Sequence, residues 1–268
     1  MPKKSLGQHF LFDPRILGRI ADALEPVPGE TVLEIGPGRG TLTAVLASRV
    51  GRLIAIEKDQ ELVPALRSRF PQVEVVEGDA LELDWHALAG PGQRSIIGNI
   101  PYYITSPLID KALTPARPRT IVFLVQQEVA DRVAAPPGGA EYGALSVGVQ
   151  SVARVERLFR VPAGAFSPPP NVDSAVLRMT PLGSPLIPDG DVAGFRRLVV
   201  GLFGFRRKQL IRGLRELTGL PAETVAGWLA QAGITQTKRP QEISPGEFVA
   251  LYHVIQSDGG WAATAPSR

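Results

Sequence analysis

Cysteine is absent from this 268-residue sequence, which excludes disulfide bonds, thiol nucleophiles and cysteine-ligated zinc. Histidine is nearly as scarce. His9, His86 and His253 lie far apart in the chain, so no metal-ligand cluster is legible and no metal is expected. No apolar run approaches the roughly 18–20 residues that a membrane-spanning helix requires, so no membrane partner is expected. The opening MPKKSLGQHF lacks the apolar core of a secretory signal, and the expected setting is the cytoplasm. Low-complexity tracts and internal repeats are missing too. With 44% hydrophobic and 21% charged residues, the composition is that of a folded protein, long enough for a main domain and a smaller one. A monomer is expected.

Acids are missing from one stretch in particular. The net charge is only +3, but residues 192–215 read VAGFRRLVVGLFGFRRKQLIRGLR, with seven cations and no carboxylate. A polyanion is the natural partner of such a segment. Its apolar residues, interleaved at helical spacing, show that part of it must also pack.

The first half alternates short apolar runs with amphipathic stretches, the pattern of a parallel sheet covered by helices. The strands are predicted at TVLEIG (31–36), RLIAIE (52–57), VEVVEGD (73–79), SIIGNI (95–100) and TIVFLVQ (120–126). Helices are predicted to begin near Gly40 and Thr41 and at Asp59, an N-cap residue. Past a Pro/Gly-rich loop at 136–143, LSVGVQSVARV and VDSAVLRMTP read as two further strands that could close the sheet with an antiparallel edge. PLGSPLIPDGD (181–191) reads as a linker, and beyond it the pattern is helical only: residues 195–217, 221–233 after a proline, and 244–256 after a Ser cap. The expected organisation is an α/β catalytic domain over residues 1–182 and a smaller all-α domain over 183–268.

LEIGPGRGTLT follows the first strand and opens a helix, where open parallel sheets bind ligands beyond the carboxyl ends of their strands. Gly36, Gly38 and Gly40 let the backbone turn tightly and approach such a ligand. The dinucleotide fingerprint fails, because its third glycine would fall at Thr41. Glu57 ends the second strand, where an acid can accept hydrogen bonds from both ribose hydroxyls. Asp79 ends the third, in reach of an adenine amine, and Ala80 leaves room for the ring. A helix cap for Asp79 and a surface acid for Glu57 are the plainer alternatives. Together the three strand ends describe an adenosyl pocket, which suggests S-adenosylmethionine more than NAD.

NIPYYITSP (99–107) follows the fourth strand and belongs at the rim of the same pocket. The lone pair of an adenine amine is delocalised into the ring, which makes the nitrogen a poor nucleophile. If the Asn99 side-chain oxygen and the backbone carbonyl of Ile100 or Pro101 accept its two hydrogens, the nitrogen is held toward tetrahedral geometry and its lone pair is freed for a methyl group. Pro101 fixes the turn and donates no competing hydrogen bond. Tyr102 offers a ring on which an unpaired or flipped adenine can stack.

KKSLGQHFL, EIGPGRGTLT, NIPYYITSP, QQEVADRV, YGALSV and FSPPPNVDSAV, in this order, resemble the ribosomal RNA adenine dimethyltransferases, specifically the small-subunit type, over nearly the whole chain. The resemblance implies a Rossmann-like S-adenosylmethionine-dependent fold. It also implies methylation of two adjacent adenosines in the terminal hairpin of 16S ribosomal RNA, and a role in maturation of the small ribosomal subunit. It places cofactor contacts at His9, Leu11, Gly36, Glu57, Asp79 and Asn99. Phe166 would stack on the target base opposite Tyr102, while Tyr103 would only pack. His9 stands where the family commonly has Asn, and Asn171 where it often has Lys. FRRKQLIRGL resembles the family's Arg/Lys-rich helix, with Arg206, Arg207 and Lys208 on phosphates and Lys3 and Lys4 as a second contact. Two alternatives share these motifs: a large-subunit enzyme of the antibiotic-resistance type, and an assembly factor that binds without methylating.

Overall fold

The computed structural model describes residues 8–259, so Lys3 and Lys4 lie outside the described residues. The chain divides into two compact units. One comprises the residues up to Asp131 together with Arg154–Pro181; the other comprises Arg132–Ala153 and the residues from Leu182 onward.

The first unit runs β1 (Phe10–Leu11), α1 (Pro14–Ala23), β2 (Thr31–Ile35), α2 (Thr41–Leu46), β3 (Arg52–Glu57), α3 (Val63–Arg69), β4 (Glu74–Glu77), α4 (Trp85–Ala89), β5 (Arg94–Asn99), α5 (Thr105–Ala112), β6 (Thr120–Gln126), α6 (Gln127–Ala134), β7 (Ala153–Val161), β8 (Phe166–Ser167) and β9 (Ser174–Pro181). Seven strands form one sheet in the order β4-β3-β2-β5-β6-β9-β7. The first five are parallel, and β9 runs antiparallel to β6. Every residue of β2 is buried, as is β6 from Thr120 to Val125, which is why both read as continuous apolar runs rather than alternating ones. Successive strands proceed outward from β2 to β3 and β4 on one side, and from β5 to β6 on the other. The order therefore reverses between β2 and β5, and the carboxyl ends of these two strands frame a crevice.

Local chemistry sets the helix starts. Asp13 caps α1 by accepting from the amides of Arg15 and Ile16, and Pro14 takes the first helical position. Asp59 caps a turn instead of a helix: its carboxylate accepts from Glu61, and α3 begins only at Val63. At the amino ends of β2, β5 and β6, buried Glu30 accepts from Ser95 Oγ at 2.7 Å and from Arg119 Nε at 3.1 Å, while Arg119 also donates to the carbonyls of Leu24 and Glu25 at 2.9 Å. β1 and β8 form a separate two-stranded ladder, pairing Phe10 with Ser167 and Leu11 with Phe166.

The second unit holds α7 (Ala144–Gln150), α8 (Val192–Gly204), α9 (Leu210–Thr218), α10 (Ala222–Gln231) and α11 (Pro245–Ser257). The strand expected over residues 145–155 is a correction: 144–150 is helical, and the strand starts at Ala153. Ser146 Oγ accepts from the amide of Gly143, and Gln150 Nε2 donates to the carbonyls of Val133 and Ala135. These bonds override the strand preference of the alternating valines. Fully buried Tyr142 anchors the unit, donating to the Ile243 carbonyl at 3.0 Å and meeting the Phe203 ring edge-on. The expected Ser244 cap of α11 forms, and Glu247 makes it reciprocal by accepting from the Ser244 amide.

Candidate active site

The crevice at the strand reversal is lined by the loop after β2, the ends of β3 and β4, and the Asn99–Ile104 segment. Two glycines make it possible. Gly38 has φ +58°, and a Cβ there would stand 2.9 Å from the Phe10 ring; a Cβ on Gly98 would stand 2.5 Å from the Ile35 carbonyl oxygen. Gly36 donates to the Ile56 carbonyl at 2.9 Å, fastening the first loop to the next strand.

Glu57, 6% exposed, accepts from the amide of Gly38 at 2.9 Å and from that of Asp59 at 2.8 Å. Burial raises its pKa, and the same two amides pull it partway back. Each of its oxygens keeps a second lone pair for a ligand. Asp79 accepts from Leu81 at 2.9 Å and pairs with Lys58 at 2.7 Å, and the Lys58 hydrogen bond holds its carboxyl below the usual carboxylate range. Ala80 and Leu11 are buried walls of the same crevice.

Asn99 donates through Nδ2 to the His9 carbonyl at 2.9 Å. Because only the amide nitrogen can satisfy a carbonyl, this bond fixes which end of the side chain is free. Oδ1 is left as an acceptor with no protein donor among the described residues. His9 thus reaches the site from the far end of the sequence. Its Nδ1–H donates to the Pro168 carbonyl at 2.9 Å, and its ring stacks on Tyr102 with centroids 5.9 Å apart. The Tyr102 hydroxyl shares a 2.8 Å hydrogen bond with Ser174, and burial raises its pKa. Neither the His9–Tyr102 stack nor the Tyr102–Ser174 contact is legible in the sequence, because each joins residues too far apart for one motif, 72 residues in the second case.

Phe166 is 3% exposed and packed in the apolar core. Tyr103, expected to pack, is 58% exposed. In the helical unit, Arg206, Arg207 and Lys208 occupy the turn between α8 and α9 rather than a helix. Arg206 donates to the Ala140 carbonyl and Lys208 pairs with Glu216, while Arg207 has no hydrogen bond or ion pair among the described residues.

Glu34 was overlooked, although an acid inside the apolar run TVLEIG is a visible anomaly. It lines the crevice at 1% exposure, and its Oε2 has no hydrogen-bond partner among the described residues. Burial, reinforced by the Glu57 charge, outweighs nearby Thr43 and pushes its pKa up to about 8. A raised carboxyl pKa means that the folded state holds a proton the unfolded chain releases. That stabilisation is complete below the unfolded value of 4.5 and is lost as pH rises toward 8. Glu34→Gln should remove a decline of up to about 1.4 kcal/mol per pH unit, read from urea unfolding midpoints of both proteins between pH 5 and 8.

Among the described residues no helix is long and apolar enough to cross a membrane, and no group of three His, Asp or Glu is placed to hold a metal. The family model for ribosomal RNA adenine dimethylase matches residues 2–257. A Geobacter metallireducens protein named ribosomal RNA small subunit methyltransferase A is 42% identical, covering 96% of this chain and 97% of that one. Its namesake from Maridesulfovibrio salexigens is 40% identical with 96% of each chain covered. Among solved structures, a dimethyladenosine transferase from Plasmodium falciparum superposes with a TM-score of 0.83 at 26% identity, covering 94% of this chain and 98% of that one. The 23S rRNA methyltransferase ErmE gives 0.73 at 28% identity, with 92% and 99% covered. With a family match from end to end and the glycine loop, acids and Asn99 gathered in one crevice, the chain belongs to the ribosomal RNA adenine dimethylase family.

Proposed function

We propose that this chain methylates the N6 amines of two adjacent adenosines in small-subunit ribosomal RNA, using S-adenosylmethionine, as a monomer in the cytoplasm. The single observation that carries the reading is Asn99, whose amide is oriented by the His9 carbonyl so that Oδ1 is a free acceptor in the crevice. The residues present fit the cofactor. The positive-φ glycine turn leaves a cradle that a Cβ would fill, Glu57 has lone pairs left for the ribose, and Asp79 and Ala80 flank room for an adenine. When bound, S-adenosylmethionine supplies an electrophilic methyl group on sulfur.

The protein's part is to hold the amine. Asn99 Oδ1 accepts one of its hydrogens, and a backbone carbonyl accepts the other. The Pro101 carbonyl is already engaged by the Ile104 amide at 3.1 Å, which favours the Ile100 carbonyl as the second acceptor. Tyr102, fixed by Ser174 and backed by His9, supports the base. No strong base is required, because a methylated amine on an electron-poor ring sheds its proton readily.

Affinity for RNA would come from the cations of the helical unit. Arg207→Ala should weaken binding about equally for all RNA sequences and lower the slope of log affinity against log salt by about one. Lys208→Ala should do less, since Glu216 already offsets its charge.

The test is transfer of labelled methyl groups to unmethylated small subunits, large-subunit RNA and duplex DNA. Dimethyladenosine on small subunits alone supports the reading. Label on large-subunit RNA would overturn it in favour of the resistance-type activity, and binding without transfer would leave an assembly factor.

A further inference from the structure

Tyr103 is a motif residue that the mechanism does not use. It follows Tyr102 directly, lines the same crevice, and is 58% exposed. Its backbone is not free to wander. The Tyr102–Ile104 segment is a single 3-10 turn, closed by the Ile104 amide on the Pro101 carbonyl at 3.1 Å and by buried Thr105 Oγ1 on the Tyr102 carbonyl at 3.2 Å. Among the described residues no hydrogen bond or ring contact engages its side chain. Lys58, paired with Asp79, lines the same crevice. An exposed aromatic ring on the wall of a crevice, with no protein partner among the described residues, is available to a ligand.

A base that enters the crevice must leave its stack, and the nucleotide beside it loses a stacking partner at the same moment. That neighbour cannot follow the target inward. It remains at the rim, joined to the target by one phosphodiester, while Tyr102 and Tyr103 are joined by one peptide with Cα atoms about 3.8 Å apart. We propose that Tyr103 is the platform on which the base flanking the target adenine stacks, replacing the contact broken on entry. The inference rests on the adenine-methylation reading above. Tyr102 then serves the base inside the crevice and Tyr103 the base outside it. The hydroxyl is not needed, because stacking uses the ring face.

Three proteins decide the matter: wild type, Tyr103→Ala and Tyr103→Phe. Tyr103→Ala should raise KM for unmethylated small subunits by about 5- to 150-fold, the range that loss of one base–aromatic stack predicts. Its kcat at saturation should stay within about two-fold. Affinity for S-adenosylhomocysteine, measured calorimetrically, should not change, and Tyr103→Phe should restore KM. An RNA hairpin carrying 2-aminopurine beside the target adenine should be quenched by wild type and Tyr103→Phe but not by Tyr103→Ala. An unchanged KM and equal quenching by all three proteins would overturn the proposal. So would S-adenosylhomocysteine binding weakened in step with KM, which would put the ring over the cofactor. Quenching needs no methyl transfer, so it decides the role of Tyr103 even if wild type proves inactive on small subunits and the parent reading fails.

Discussion

Asn99→Ala should lose about 10²–10³-fold in kcat while still binding S-adenosylhomocysteine, the loss typical of removing one preorganised polar contact from a reacting group. The size follows from how completely the side chain is committed. Nδ2 is spent on the His9 carbonyl, so Oδ1 can neither rotate away nor exchange roles without breaking that bond. An alanine leaves one amine hydrogen without an acceptor and lets the nitrogen relax toward planarity. Asn99→Asp is the sharper comparison. It is nearly isosteric, yet a carboxylate cannot donate to the His9 carbonyl, so it loses the contact that sets the orientation. Single-turnover methyl transfer beside calorimetric cofactor binding separates the two effects. Alanine and wild-type rates that agree within two-fold would sink the assignment of Asn99.

The second large effect concerns stability at the opposite ends of the strands. Arg119→Ala should cost about 3–5 kcal/mol, because it leaves the Glu30 carboxylate, 1% exposed, without its cation in the interior. The melting temperature should drop by roughly 10 °C. Glu30→Met combined with Arg119→Met should cost much less, since replacing a buried pair by apolar groups of similar volume is often neutral. The network sits at the amino ends of β2, β5 and β6, away from the crevice at their carboxyl ends, so kcat of the folded fraction should be preserved in both variants. Equal losses in the single and double variants would show that Arg119 stabilises through its bonds to Leu24 and Glu25 instead.

The central strands were legible because burial on both faces demands uninterrupted apolar residues, and β2, β3, β5 and β6 supply them. Gly36, Glu57, Asp79 and Asn99 were legible for a related reason: each stands at a strand end, so one topological rule brings them together. Residues 144–150 read as a strand because Leu145, Val147 and Val149 alternate as in one, and only hydrogen bonds to Arg132, Val133 and Ala135 disclose the helix. β1 and β8 contribute two residues each, too few for any periodicity. Without them nothing in the sequence says that His9 touches Tyr102 or that the Phe166 ring is enclosed. Tyr103 is expected from the sequence only to pack; its exposure is a property of the turn.

The short β1–β8 ladder has a bearing on how the protein is made. The bond from His9 to Pro168 spans 159 residues, and the His9 carbonyl is what orients Asn99. Synthesis proceeds from the amino end, so the five parallel strands, the glycine loop and Asn99 itself all leave the exit tunnel before the strand that pins the opening segment. A nascent chain could therefore shape the cofactor crevice early, yet its amine cradle stays unset until residues 166–168 emerge. The enzyme's competence is decided late in its own translation.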